Sequence, residues 1–390
     1  MKHILLIVFA LPLLFSCQNS NNSYMKAGSL VKPVYLDQQF INSTSLRVET
    51  EEEVFMLDDE MIQMVENFLN INKNDQIKAK QLLKQIFSSE KISLSYSSNA
   101  NLTAREAFHS QKANCMSLTI MAYALAKRAK LNINFQQVDV PEYWVRNGQY
   151  NLLTGHINLL VNPRNPRKYI VYGNDSIQID FDPYAIKQSF PRKVISKKTV
   201  LAMFYNNKGG QAIVEGKYNI AYQYLKAATS TDTMLSSAWG NLAVLYRLTG
   251  YLPEAEDTYR YAIAINHNNL TSLTNLAKLL RSQQKNEEAN EIESILLQKR
   301  INNPYYHAVL ADEAYYQHDY LNALKHYKKA LHLSNKIHEI YFGIAKVYYQ
   351  MNRLSDAERA LKKALSLNNA KSIEHQYIAK LNFLQAERIH

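Results

Sequence analysis

The sequence predicts an α+β domain over residues 51–195 followed by an all-α repeat solenoid over residues 202–371. Three observations predict it. Chain breakers are scarce, with 10 glycines and 9 prolines among 390 residues, so most of the chain can be helical. Between residues 132 and 181 the texture changes to short β-branched or alternating segments, "INFQQVDV", "HINLLV", "KYIVY" and "SIQIDF", separated by turn residues. From residue 200 onward small residues recur every 34 positions, which marks stacked copies of one helical unit.

Apolar residues make up 47% and charged residues 20%, the balance of a soluble globular chain long enough for two or three domains. The net charge is +11 and the pI about 9.2. Lys and Arg are dispersed along helical segments such as "HYKKALHL" and "ERALKKAL". That pattern describes solvated helix faces, and no nucleic-acid partner is expected.

The N-terminus opens with Lys2 and an apolar run from Ile4 to Leu14, then Ser16-Cys17. The run is too short to span a bilayer and reads as a signal peptide over residues 1–16. The ending Leu14-Phe15-Ser16-Cys17 resembles a bacterial lipobox. The resemblance implies cleavage before Cys17, acylation of that residue with fatty acids such as palmitate, and attachment to a membrane in the cell envelope. Gln18 after the cysteine resembles outer-membrane sorting, so in a two-membrane host the expected location is the periplasmic face of the outer membrane. Residues 17–50 read as an extended polar tether and lead-in, beginning "QNSNNS". With Cys17 lipidated, Cys115 is the sole cysteine thiol of the mature chain. In an oxidising compartment such a thiol is a liability unless buried or used.

Helical stretches follow at "DDEMIQMVENFLN", whose acidic start complements the helix dipole, and at "NDQIKAKQLLKQIFSS". In "QKANCMSLTIMAYALAKRAKL" the apolar residues Leu118, Met121, Ala122, Leu125, Ala126 and Ala129 share one face of a helix. Asn114 is a good N-cap type, which puts Cys115 in the first turn. The positive end of a helix favours the thiolate, the form that acts as a nucleophile. His156 begins one strand, in "TGHINLLV", and Asp180 and Asp182 end another, in "IQIDFDPY". "NPRNPRK" marks a tight connection between two of the short segments. Cysteine, histidine and aspartate so placed can serve as nucleophile, base and orienter.

The blocks "TAREAFHSQKANCMSLTIMAYALAKRAKLN", "GHINLLV" and "QIDFDP" resemble the transglutaminase-like superfamily, a papain-type fold, over residues 85–185. The resemblance implies a nucleophile at Cys115, a base at His156 and an acid at Asp180, with Asp182 as the alternative. Asp180 is flanked by Ile179 and Phe181 as a strand residue would be, whereas Asp182-Pro183 resembles a pair found in many relatives. Many relatives carry an aromatic residue just after the histidine, where this chain has Ile157-Asn158. The implied chemistry is amide hydrolysis or acyl transfer on a protein or peptide, with no cofactor and no metal. Trp144 could wall the cleft or fill the core. None of the 11 histidines falls into an HxxxH or HExxH pattern, nothing near His109 completes a ligand set, and no phosphate-binding glycine loop is present.

In the C-terminal half Ala221, Ala255, Ala289, Ala323 and Ala357 form one ladder, and Gly209, Ala243, Ala277, Ala311 and Ala345 a second. The period resembles the tetratricopeptide repeat, with the fullest copy at Trp239, Leu242, Ala243, Tyr246, Ala255, Tyr259 and Ala262. Five copies start near residues 202, 236, 270, 304 and 338, and residues 372–390 are expected to form a capping helix. The third copy departs from the pattern at Glu293 and Leu296. Asn207, Asn241 and Asn275 recur at one place in the first three copies, where Val309 and Gly343 stand in the last two. An amide row can hold the backbone of an extended peptide, so the expected partner of the repeats is a protein or peptide. Two classes remain open: a lipid-tethered cysteine enzyme with a recruiting solenoid, or a non-catalytic envelope scaffold with an inactive α+β domain.

Overall fold

The computed structural model of the protein describes residues 32–43, 47–69, 77–79, 81, 95–96, 100–110, 112–140, 142, 144–147, 150–153, 155–162, 176–181, 190–368, 374, 377–382 and 384. Cys17, Asp182, the "KYIVY" segment and most of the expected helix over 74–89 lie outside them.

The N-terminal part places helices before a sheet. Helix α1 (Glu51–Phe55) and helix α3 (Ala104–His109) each start on a capping box, Thr50 with Glu53 and Thr103 with Glu106. Helix α2 (Asp59–Leu69) lies between them in sequence. Helix α4 (Cys115–Arg128) is capped by Asn114, whose side chain accepts from the Ser117 amide at 2.8 Å. Its residues 117–122 and 124–126 are all buried, more than one face, so α4 is the central helix of this core.

Strands β1 (Ser95–Tyr96) and β2 (Lys112–Ala113) form a short parallel pair. The main sheet holds β3 (Asn132–Val138), β6 (His156–Asn162), β7 (Ile177–Ile179) and β8 (Arg192–Ile195) in the order β7-β6-β3-β8, every pair antiparallel. A separate hairpin joins β4 (Trp144–Asn147) to β5 (Tyr150–Leu153). The sequence reading names no strand in "PRKVISKK", whereas Arg192–Ile195 is the edge strand that closes the sheet beside β3. Charged residues on an exposed edge hide the alternation that betrays an inner strand.

Ten helices follow in five antiparallel pairs: α5 (Lys197–Val214) with α6 (Tyr218–Thr231), α7 (Ser236–Leu248) with α8 (Leu252–Ile265), α9 (Leu270–Ser282) with α10 (Asn286–Arg300), α11 (Pro304–Tyr316) with α12 (Tyr320–Leu333), and α13 (His338–Gln350) with α14 (Leu354–Leu367). Every alanine of both ladders is buried. At Gly209 a Cβ would stand 2.7 Å from Leu225 of the paired helix, so only glycine fits without displacement. The turn inside each pair repeats too: residues 216, 250, 284, 318 and 352 all have positive φ, glycine in the first two and Gln, His and Asn in the rest. The residue after each donates back to the last turn of the preceding helix, as Tyr251 does to Tyr246 at 2.9 Å and Arg353 to Tyr348 at 2.9 Å.

The apolar core of the repeats breaks at the irregular third copy. One cluster ends at Leu296 and the next begins at Ala311, with buried Arg300 and His307 between them. Glu293 is spent on an ion pair with Arg281. Described residues of the C-terminal segment, 377–382 and 384, are helical; Tyr377 stacks on Phe342 at 5.0 Å and covers α13.

The lead-in departs from the extended tether expected of it. Residues 32–36 have no regular secondary structure, but Asp37–Ser43 form a 3-10 helix seated on α6 and α7. Phe40 is buried and stacks on Tyr222 at 4.3 Å, and Tyr35 stacks on Trp239 at 6.0 Å. Asp37 accepts from Tyr222 at 2.9 Å and Lys226 at 2.6 Å. The aromatic residues in an otherwise polar stretch supply the buried area that holds it down.

Candidate active site

His156 opens β6 opposite Val138, and Asp180 follows the last residue of β7. Leu159 pairs with Ile179 and Leu160 with Gln178, so the next step of the ladder sets Asn158 opposite Asp180. Successive odd and even positions of a strand face opposite sides, which puts His156 and Asn158 on one side of β6. His156 Nε2 lies 2.9 Å from Asp180 Oδ1 and 3.0 Å from Oδ2. The two residues are 5% and 8% exposed, so the contact is shielded from solvent. Oδ2 also accepts from Asn158 Nδ2 at 2.8 Å and from Gln178 Nε2 at 3.1 Å.

Cys115 is the first residue of α4 and half-buried. Its carbonyl accepts from Thr119 Oγ1 at 2.7 Å, and the same hydroxyl lies 3.5 Å from the Ile157 carbonyl oxygen. The first turn of α4 is therefore seated on β6 one residue from His156. The turn is held from behind as well. Asn114 donates to Asn101 Oδ1 at 2.7 Å, and Asn101 donates to Gln211 Oε1 of α5 at 3.1 Å. Ser117 Oγ donates to the Ala100 carbonyl and accepts from the Leu102 amide, both at 2.8 Å.

The first repeat helix thus reaches the cysteine helix. Asn207 points the same way, its Nδ2 3.5 Å from Met116 Sδ. Around Glu49 the contact is polar: Tyr205 donates to its carbonyl at 2.5 Å, Tyr224 to its carboxylate at 2.9 Å, and Lys208 pairs with it. Burial, with the carboxylates of Glu49, Glu51 and Glu53, pushes the Tyr205 hydroxyl up to about 12. A second bridge lies further along the repeats. Arg300 grips Glu142 through Nε at 2.6 Å and Nη2 at 2.9 Å, reaches Thr274 at 2.8 Å, and Asn303 donates to the Glu142 carbonyl at 3.1 Å.

The structure brings His156 and Asp180 together and sets Cys115 on the adjoining helix terminus. Asp182 and the side chain of Trp144 lie outside the described residues. Asn241 donates to Asn206 Oδ1 at 2.9 Å, and Asn275 is half-buried beside Thr274. His109 pairs with Asp58 at 2.6 Å. Sequence reasoning missed Asn158, Gln178, Asn101 and Gln211; the signal for Asn158 was its place two residues beyond His156 on a strand. Among the described residues no group of three or more His, Cys, Asp and Glu could hold a metal ion, and no helix is long and apolar enough to cross a membrane.

By sequence, residues 314–377 match the family model of the Tetratricopeptide repeat. No curated protein matches the chain. Similar solved structures include PilF of Pseudomonas aeruginosa, at 18% identity and a TM-score of 0.30, covering 50% of this chain and 88% of that one. MamA from AMB-1 is 22% identical with a TM-score of 0.24, over 43% of this chain and 99% of its own. The Cut9–Hcn1 assembly of APC/C is 18% identical with a TM-score of 0.29, over 48% of this chain and 36% of that one. Residues 314–377 thus match the tetratricopeptide repeat, a class whose stacked hairpins build extended surfaces for binding other proteins.

Proposed function

We propose that the protein is a lipid-anchored cell-envelope enzyme of the transglutaminase-like, papain-type kind, whose repeats recruit the protein or peptide it acts on. Residues 1–16 are its signal peptide, Cys17 carries the lipid, and residues 51–195 form the catalytic domain. The observation that supports this reading is the buried pair of His156, on β6, with Asp180, at the end of β7, beside the point where Thr119 of the Cys115 helix meets Ile157.

Asp180 takes Nε2 of the imidazole, so Nδ1 is the nitrogen that accepts the thiol proton. The Cys115 thiolate attacks the carbonyl carbon of an amide, and the developing oxyanion draws on the backbone N–H groups and positive end of α4. The C–N bond breaks, the amine leaves with the proton held by His156, and a thioester remains on Cys115. Water then gives hydrolysis and a second amine gives crosslinking, with Cys115 regenerated in either case. The amide row starts beside this site, because Asn207 lies against Met116. A peptide laid along Asn207, Asn241 and Asn275 would lead toward Cys115.

A thiol-directed activity probe tests the assignment on the full chain. Asp180→Asn should sharply reduce labelling of Cys115 and Asp182→Asn should leave it near wild type; the reverse pattern transfers the acid's role to Asp182. Labelling unaffected by either change, together with full function of Cys115→Ser in a deletion strain, would establish the scaffold reading instead. Cys17→Ser should leave the membrane fraction, and its retention there would remove the lipid anchor from the account.

A further inference from the structure

We infer that Asn158, assisted by Gln178, is the positioning residue of Asp180: it fixes the carboxylate that orients His156. The inference rests on the catalytic reading above and deepens it. The Asp180 carboxylate can accept from several directions, and His156 Nε2 lies within 0.1 Å of equidistant from its two oxygens, 2.9 and 3.0 Å away. The imidazole alone therefore leaves the rotation of the carboxylate weakly defined, since the terminal torsion of an aspartate is broad. Two further donors define it. Asn158 Nδ2 binds Oδ2 at 2.8 Å from directly across the ladder, and Gln178 Nε2 binds the same oxygen at 3.1 Å from two residues back on β7.

Asn158 is the stronger element because the fold cannot relax around it. It is 0% exposed and sits in the interior of β6, with β3 and β7 on either side. A carboxylate only accepts, so the amide must turn its NH2 toward Asp180. That choice leaves Asn158 Oδ1 buried with no hydrogen-bond partner among the described residues. An unsatisfied buried acceptor costs folding free energy, and a leucine of similar shape would avoid the cost. The position thus carries a stability penalty that only its donor end offsets. A neutral donor also suits the chemistry. A cation there would compete with the imidazolium for Asp180, and a second carboxyl would share a proton with it.

The test is the rate of Cys115 alkylation by iodoacetamide across pH 5–9 in the full-length protein, read beside its melting temperature. Near pH 9 any thiol is substantially ionised; near pH 6 reaction requires an activated one. Asn158→Leu and the isosteric Asn158→Asp should each lower the ratio of the pH 6 rate to the pH 9 rate by about tenfold or more, the scale on which hydrogen-bond partners that orient the ligands of metal sites act. Gln178→Leu should lower it by less. A purely structural role would shift the melting temperature and leave the ratio alone. A wild-type ratio in both folded Asn158 variants overturns the inference. If Asn158→Leu does not fold, the ratio in Asn158→Asp and Gln178→Leu decides: reduced in both supports it, and wild type in both overturns it. Failure of the unmodified protein to react at pH 6 removes the catalytic reading itself, an outcome separate from wild-type ratios in the variants.

Discussion

The sheet face beneath α4 and the stacked repeats hold their polar residues on opposite terms. Around Asp180, among the described residues, each contact occurs once: His156, Asn158 and Gln178 converge on one carboxylate. In the repeats the same positions recur, so the rungs of the two small-residue ladders and the positive-φ turns are each made five times. A singular constellation fails when one member is lost, whereas a solenoid spreads its stability over repeat units and their neighbours. The contrast separates two kinds of legibility and two kinds of vulnerability.

The largest expected effect lies in the singular region. Asp180→Asn keeps the shape and removes the charge, and a change of that kind in a comparable triad lowers turnover by about 10⁴-fold. Initial rates of Cys115 modification or amide cleavage measure it. A loss of less than tenfold would mean that Asp180 does not orient the base.

Gly343→Ala should produce a smaller effect, confined to the repeats. Its Cβ would stand 2.3 Å from the Tyr327 ring, which is buried and held by Asp312 at 2.7 Å. Overpacking of this sort costs about 1–3 kcal/mol, visible in thermal or urea unfolding, with Cys115 reactivity unchanged. A matching drop in reactivity would show that the repeats and the site act as one unit.

The docked lead-in should loosen in acid. Lys226 beside Asp37 holds its carboxyl below the ordinary carboxylate range, and Tyr222 helps, against the opposing effect of burial. A depressed pKa means that docking is stabilised above the ordinary value of about 3.9 and loses that contribution as pH falls through the lower folded value. The protection of residues 32–43 against hydrogen exchange, relative to the unfolded rate at each pH, should therefore fall toward pH 3, and Asp37→Asn should show the lower protection already at neutral pH. Identical protection in both proteins at pH 7 would leave the aromatic stacking as the sole anchor.

Replacing Asn207 and Asn275 with Ala should have the least effect on stability, while at Asn241 the loss of its bond to buried Asn206 should cost about 1 kcal/mol. Binding of the partner protein should nonetheless weaken. Since Asn207 touches Met116 and Asn241 bonds Asn206, losses concentrated at Asn275 would shift the binding surface toward the third copy.

Recurrence made the repeats readable. A ladder of Ala at a fixed interval survives divergence of everything around it, yet the turn residues Gln284, His318 and Asn352 gave no glycine to mark their positive φ. Edge strand β8 escaped notice because Arg192 and Lys193 obscure its alternation. The docking of residues 32–43 escaped because the aromatic residues Tyr35 and Phe40 are too few to form a pattern, although each finds a stacked ring. At the candidate site, residue chemistry at strand ends offered His156 with Asp180 or Asp182; the fold brings His156 and Asp180 into contact, and Asp182 lies outside the described residues. Asn158 carried only the two-residue spacing that puts it on the His156 face of the strand; its meaning comes from the register that sets it across from Asp180.

The most direct test of the central claim is the pH dependence of Cys115 alkylation in the full-length protein and in His156→Ala, with the modified residue identified by mass spectrometry. An activated thiol paired with His156 reacts readily near pH 6, well below the range in which an ordinary thiol of pKa about 8.5 ionises, and His156→Ala removes that acid-side reaction while the reaction near pH 9 persists. Alkylation curves that coincide for the two proteins, or that rise only above pH 8 in both, would contradict it.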